Sequence, residues 1–344
     1  MMRLRNVFCL VFAILVFFSG MQTVFAENYF EIHFLDVGQG DAAVILCNGE
    51  SLMIDGGAPS CSSLIYSYLV NDLGLTHIDY MISTHPHDDH VGGLSAALNA
   101  CTVGKIYSPV TTYESKPFSS LTKYANAQDI EITVPILGES FQLGSASVEF
   151  LSPNRNYDLM NDNSIIVRIE YGDTSFLFTG DAGSEAQHDV IGANHDISST
   201  LYKVGHHGSE TGTSELFLNK VRPQYAVISV GKENTYGHPY EQVINSLLNI
   251  GATVYRTDEC GHIICYSDGE TLSFCTEKQP SIRIPTELVV NVSTATYIGN
   301  SNSKKLHYAD CSSVDDMKEK NKVEFYSREV ALAQGYVPCK RCNP

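Results

Sequence analysis

The stretch Ser83–Gly93, STHPHDDHVGG, places three histidines and two aspartates in the six positions His85 to His90, directly after the apolar run IDYMIS. A short apolar run of this kind predicts a buried strand, so these coordinating side chains are delivered at its end. His85 and His87 lie two apart and can face one way in an extended loop. Asp89 and His90 come round on the following turn, into a short helix over VGGLSAALNA. Imidazole and carboxylate donors suit zinc, and also iron or manganese. A solvated polar loop is the plain alternative, and it does not account for three histidines in six residues.

A catalytic divalent site needs more ligands than one loop can hold, and they are expected on neighbouring strand ends. Asp181 follows the apolar strand TSFLFTG, His206 and His207 lie in KVGHHGS, and Asp55 closes SLMIDGG. A TGD or DGG turn alone is more often structural; it is the conjunction with HPHDDH that points to metal. Asp36, Gln39 and Asp41 of LDVGQGD occupy a tight turn whose polar groups would shape the floor of the site. Lys203, Ser209 and His238 are candidates to stabilise a phosphate, and His238 is equally readable as a turn residue before a proline.

Around these motifs the chain alternates strand and helix. YFEIHFLDV, AAVILC and SLMID predict a meander; SSLIYSYLVNDLG and PFSSLTKYANA have helical spacing; EITVPI, FQLG and VEFLSP read as strands; and NSIIVRIEYG with TSFLFTG predicts a hairpin. A second run places strands at LYKVG, YAVISVG, ATVYRT, HIICYS and TLSFC, with helices at SELFLNKV and PYEQVINSLLNI. Two such halves imply an α/β (α+β) sandwich of two sheets with helices outside, four layers αββα.

The ordered set HPHDDH, IDGG, TGD and HHGS resembles the metallo-β-lactamase fold hydrolases. FLDVGQGDA (Phe34–Ala42), HHGS and YGHP (Tyr236–Pro239) further resemble the hydrolase domain of the ComEC group of competence proteins. The resemblance covers Tyr29 to Cys275 and is more specific for fold than for substrate, since one fold hosts many chemistries. It implies that His85 and His87 bind a first metal, that Asp89 and His90 bind a second, and that Asp181 bridges them. His206 or His207 supplies the final histidine, with His206 favoured as nearer the strand end, and Asp55 orients a ligand. Many relatives carry a further histidine where this chain reads NDNS (Asn161–Ser164), so the first metal is expected to have fewer protein ligands, with Asp162 or Asn163 as substitutes. Two ions, zinc or manganese, about 3.5 to 4 Å apart would lower the pKa of a bridging water toward roughly 7 and generate a metal-bridged hydroxide. Asp89, Asp181 and His238 are the expected catalytic groups.

Composition bounds the rest. Arg3 and Arg5, an apolar run of about a dozen residues, too short for the roughly 20 of a spanning helix, and VFA before Glu27 form the pattern of a secretory signal over residues 1–26. The protein is therefore expected to be secreted or held at the cell surface. No later segment is apolar enough to span a membrane, and no transmembrane partner is implied. Removing Arg3 and Arg5 moves the net charge from -17 to -19. Residues 27–280 carry 11 Lys+Arg against 32 Asp+Glu, whereas the remainder carries 9 against 7, so the body is acidic and the tail mildly basic.

Residues 27–278 are expected to form the hydrolase domain, 279–296 (two prolines, no helical period) a linker, and 297–344 a small module. In that module His307, Cys311, Cys339 and Cys342 have the spacing of a structural zinc site, and VPCKRC resembles the zinc module of the Ada DNA-repair protein. His307 stands where that module has its reactive cysteine, so methyl-acceptor chemistry is not implied. In an oxidising exterior Cys339 and Cys342 could instead form a disulfide. The combined expectation is a secreted metal-dependent phosphodiesterase or nuclease acting on DNA or RNA. The alternatives are a hydrolase of a small ester, lactone or lactam, and a non-catalytic nucleic-acid-binding module.

Overall fold

The computed structural model describes residues 29–278, 297–308, 311–325, 331–332, 335–342 and 344; the expected signal segment and linker lie outside them. The chain divides between Arg283 and Ile284 into two compact units.

In the first unit, one sheet is built from β1 (Phe30–Phe34), β2 (Ala42–Cys47), β3 (Glu50–Gly56), β4 (His77–Ile82), β5 (Thr102–Tyr107) and β6 (Ile132–Thr133). The other comprises β7 (Ser140–Leu143), β8 (Ala146–Phe150), β9 (Val167–Tyr171), β10 (Thr174–Phe178), β11 (Leu201–Lys203), β12 (Tyr225–Ile228) and β13 (Thr253–Arg256). The last two strands, β14 (Ile263–Ser267) and β15 (Leu272–Thr276), cross back to the first sheet, where Phe34 pairs with Ile263. The sheet orders are β15-β14-β1-β2-β3-β4-β5-β6 and β13-β12-β11-β10-β9-β8-β7. HIICYS and TLSFC thus extend the first sheet and not the second half of the chain, because antiparallel edge pairing with β1 is available only in three dimensions.

Period-two alternation fixes the layers. Phe30, Ile32 and Phe34 of β1, Ile45 of β2 and Leu52 of β3 meet Val148, Ile169, Phe176 and Phe178 between the sheets. The opposite face of the first sheet, including Val44 and Met53, packs on α1 (Ser62–Ser67), α2 (Asp88–Val91), α3 (Leu94–Ala100) and α4 (Lys116–Asn126). Leu177, Tyr202, Ala226 and Val254 face α5 (Ser184–Gly192), α6 (Glu215–Val221) and α7 (Glu241–Asn249). The result is the expected αββα sandwich. Strands β3, β4 and β5 run parallel, as do β10 to β13, so the carboxyl ends of each group present their loops along one edge.

The second unit holds a four-stranded sheet of β16 (Tyr297–Asn300), β17 (Lys305–Tyr308), β18 (Lys322–Phe325) and β19 (Val337–Pro338), ordered β18-β16-β17-β19. Its apolar core is small: Ile298, Val314 and Met317 pack around Cys311 and Cys339, and Leu306, Ala331 and Tyr336 form a second cluster.

Candidate metal centre

Five parallel strand ends and one hairpin turn supply the site. Asp55 ends β3, His85 to His90 follow β4, Asp181 follows β10, His206 and His207 follow β11, and Ser229 follows β12. The β1–β2 turn adds Asp41. Gly40 permits its approach, since a Cβ there would lie 2.4 Å from the carbonyl oxygen of Asp89, which accepts the Asp41 N–H at 3.1 Å. His206 and His207 both adopt left-handed φ, 50° and 54°, at a cost of order 1–3 kcal/mol each for residues with a Cβ. That strain turns the two rings in different directions.

Asp181 is the common point, with its side chain 4% exposed. Its Oδ1 lies 3.2 Å from Nε2 of His90, and its Oδ2 lies 3.6 Å from Nε2 of His206, 3.7 Å from Nε2 of His207 and 3.9 Å from Nε2 of His85. Nδ1 of His87 is 3.0 Å from Nε2 of His85, and Nε2 of His207 is 3.3 Å from Oδ2 of Asp89. These distances pair His85 with His87 and His207 with Asp89, while the ring of His90 lies 4.2 Å from that of His85 and 5.2 Å from that of His207.

Neighbouring groups aim these rings. Asp55 accepts the backbone and hydroxyl hydrogens of Thr84 at 2.8 and 2.6 Å and the Nδ1–H of His90 at 2.8 Å, so Nε2 of His90 is left for the centre. Nδ1 of His207 donates to the Ser229 carbonyl at 3.1 Å and faces Oδ1 of Asp41 at 3.2 Å, which frees its Nε2. Asp41 is in turn held by Lys203, whose Nζ donates to Oδ2 at 2.8 Å and to the Val204 carbonyl at 2.9 Å. Lys203 is therefore a buried strut and not a phosphate contact. Distances among candidate ligand atoms group Asp41, His90, Asp181 and His207 within 4.8 Å. The oxygens of Asp41 nevertheless face Lys203 and Nδ1 of His207, the arrangement of a carboxylate that orients a ligand.

Charge follows the geometry. Burial alone would raise the Asp181 carboxyl, but His90, His207 and His85 outweigh it and hold it well below the usual range. Burial likewise opposes charging of His90 and His207, yet Asp181 and Asp55 keep His90 well above its ordinary value, and Asp181 and Asp41 raise His207 to about 9. Asp89 is lowered to about 2 by His207 and His90 against its burial. His85 is pushed well below its ordinary value by burial and by the neighbouring His90.

The residues fit divalent metal. Nε2 of His90, Nε2 of His207 and Oδ1 of Asp181 are buried and face one another without a hydrogen-bond partner, a costly arrangement for polar atoms unless a ligand joins them. Residues 35–232 match the Metallo-beta-lactamase superfamily. The chain belongs to this superfamily. It is similar to ComE operon protein 3 of Bacillus subtilis, 28% identical over 252 residues that cover 68% of this chain and 32% of that protein. It is similar also to Competence protein ComA of Neisseria gonorrhoeae (29% over 237 residues, 68% and 32%) and to Recombination protein 2 of Haemophilus influenzae (30% over 239 residues, 68% and 28%). The matched region thus spans about a third of those longer proteins. The metallo-beta-lactamase fold protein YhfI of Bacillus subtilis aligns at 12% identity and a TM-score of 0.46, over 69% of this chain and 100% of that one.

Within this superfamily site, some expected residues lie elsewhere. Asp162 accepts the Ala186 N–H at the start of α5, and Asn163 bonds the backbone of Tyr157 and Leu159, so neither reaches for the centre. The residue of NDNS that does is Asn161, whose Nδ2 lies 3.5 Å from Nε2 of His206. The two histidines of HHGS also separate: His207 is buried among Asp89, Asp181 and Asp41, whereas His206 is 26% exposed and stands beside Asn161. Of the two residues expected to supply the final histidine, His207 is the one turned inward among Asp181, His90 and Asp89, while His206, favoured from its place in the sequence, lies nearer the rim at 3.6 Å from Asp181. His238 stays at the rim, its ring 5.6 Å from that of His206, and burial with the nearby His206 and His207 lowers it to about 4, leaving it neutral.

In the second unit, His307, Cys311, Cys339 and Cys342 offer ligand atoms within 4.8 Å of one another. Pairing of Leu306 with Pro338 brings His307 beside Cys339. The three cysteines are free of disulfides, and the buried Nδ1 of His307 has no hydrogen-bond partner. The Arg341 N–H points at Sγ of Cys339 at 3.4 Å and lowers that thiol toward the thiolate a metal needs.

Proposed function

We propose that this chain is an exported metal-dependent phosphodiesterase that cleaves nucleic acid, with a structural zinc in its C-terminal unit. The observation that carries the metal-dependent reading is the convergence of partnerless buried ligand atoms on Asp181. In this reading His85 and His87 hold one ion, with His206 beside Asn161 in place of the missing histidine. Asp89, His90 and His207 would hold the other, and Asp181 lies within reach of both. Divalent ions there supply Lewis acidity and an activated water at neutral pH. The chain's own groups do the rest: Asp55 fixes His90, Asp41 with Lys203 fixes His207, and neutral His238 at the rim can donate a hydrogen bond to the leaving oxygen. Support for a nucleic-acid substrate comes from the relatives named for competence and recombination and from the resemblance of FLDVGQGDA, HHGS and YGHP to the ComEC group.

The test is hydrolysis by the Mn- or Zn-loaded protein of labelled single- and double-stranded DNA and RNA, a bis-aryl phosphodiester and a lactam in parallel. Phosphodiester cleavage that disappears with chelator and in His87→Ala is the expected outcome. Turnover of the lactam alone would overturn it, and metal binding without turnover of anything would leave a binding module.

A further inference from the structure

Five residues beyond Gly231 the chain presents aromatic rings at the rim of the metal centre that the core does not use. Tyr236 is 65% exposed, the most exposed aromatic ring among the described residues, and Tyr240 is 36% exposed. The ring of Tyr236 stacks on His238 at 5.7 Å and 23°, Tyr240 lies 5.6 Å from it, and His238 lies 6.4 Å from His207. The loop is rigidly made. The Asn234 amide donates to the carbonyls of Gly231 and His238 at 2.9 and 2.6 Å and accepts from the backbone of Tyr236 and His238 at 3.1 and 3.0 Å; the Tyr240 N–H bonds the Gly208 carbonyl at 2.9 Å. From the other sheet, in the loop after β5, half-buried Tyr113 lies 6.5 Å ring to ring from His87. Each ligand set therefore has an aromatic neighbour.

Rings at the rim of a phosphodiester-cleaving centre, Tyr236 and Tyr240 exposed and Tyr113 half-buried against Phe118, suit the π-faces of nucleobases, and such stacking is indifferent to sequence. Charge leads to the same place. With 11 Lys+Arg against 32 Asp+Glu in residues 27–280, this body gains little from counterion release along a phosphate backbone. Binding must draw on the metal centre and on base stacking, and a duplex keeps its base faces inside. We propose that Tyr236 and Tyr240 on one side and Tyr113 on the other stack the bases that flank the cut phosphodiester, so that the substrate is single-stranded nucleic acid. This inference rests on the phosphodiesterase reading above.

The metal-loaded full chain is tested on one labelled oligonucleotide in three forms: single-stranded, duplex, and single-stranded with abasic sites on both sides of one phosphodiester. Single strand should be cut in preference to duplex. Tyr236→Ala and Tyr113→Ala should each raise KM about tenfold, from the usual worth of one stacked base, and abasic flanks, which remove two stacked bases, about a hundredfold, while Tyr236→Phe keeps the wild-type KM. The abasic and Tyr236→Ala effects should fail to add. Cleavage of intact and abasic strands with equal KM, or preference for the duplex, overturns the stacking proposal and leaves the phosphodiesterase intact. Failure to cut any phosphodiester overturns both.

Discussion

Replacing Lys203 by methionine removes the cation beneath Asp41 while keeping the length of the side chain. Both partners are buried, with side-chain exposures of 4% and 8%, and the Nζ–Oδ2 distance is 2.8 Å. Burial alone would raise the Asp41 carboxyl; Lys203 and His207 outweigh it and keep it ionised. Breaking one side of a buried pair leaves an uncompensated charge and typically costs about 3–5 kcal/mol. Asp41 retains His207 as a second partner, at 3.2 Å, so the low end applies: about 3 kcal/mol. For an m-value near 3 kcal/mol/M, the urea midpoint of the metal-free protein followed by circular dichroism would fall by about 1 M. The double variant Lys203→Met/Asp41→Asn should unfold at higher urea than Lys203→Met alone, since the orphaned charge is gone. A Lys203→Met protein with an unshifted midpoint and only a raised KM would refute the strut and restore Lys203 to the substrate side.

Asp55→Asn should weaken metal binding about 10- to 100-fold, measured by competition with a chromophoric chelator, because His90 loses the carboxylate that fixes its tautomer. His207→Ala should lower the metal content of the body by one ion, and His206→Ala should weaken the other ion selectively, both read by plasma mass spectrometry; equal effects would erase the division between the rings. Glu31, buried on β1, is pulled below its ordinary pKa by its bonds to His33 and Tyr29, which overcome its burial. Its contribution to stability is therefore present above the unfolded carboxylate value of about 4.5 and lost as pH falls through the lower folded value; Glu31→Gln should flatten that acid limb of the denaturation profile. If His307, Cys311, Cys339 and Cys342 hold zinc as proposed, Cys339→Ser should lower the zinc content of the protein by one ion, whereas a Cys339–Cys342 disulfide found by peptide mapping would contradict that site.

Much of the fold was legible because each sheet has one face against its neighbour and one against helices, so that Phe30, Ile32 and Phe34, or Phe176 and Phe178, alternate with their layers. The return of β14 to pair with β1 was not, since no local pattern names a strand's partner. HPHDDH, Asp181 and Asp55 were readable as strand-end donors. What spacing could not show was rotation: two successive left-handed residues turn His207 inward and leave His206 at the rim. The first residue of NDNS, not the second or third, faces the centre for a similar reason, because Asp162 is taken by the helix start at Ala186 and Asn163 by the loop at Tyr157. Lys203 looked free for phosphate only while its position on the inner face of β11, over Asp41, was unknown.

The central claim, that two ligand sets share Asp181, is tested most directly by counting metal in the wild-type protein and in Asp181→Ala, each verified as folded, with phosphodiester cleavage followed on the same samples. The expected result is two ions in the body of the wild type, loss of at least one in Asp181→Ala, and cleavage that falls with it. Full cleavage in a metal-free sample, or undiminished metal and activity in Asp181→Ala, would contradict it.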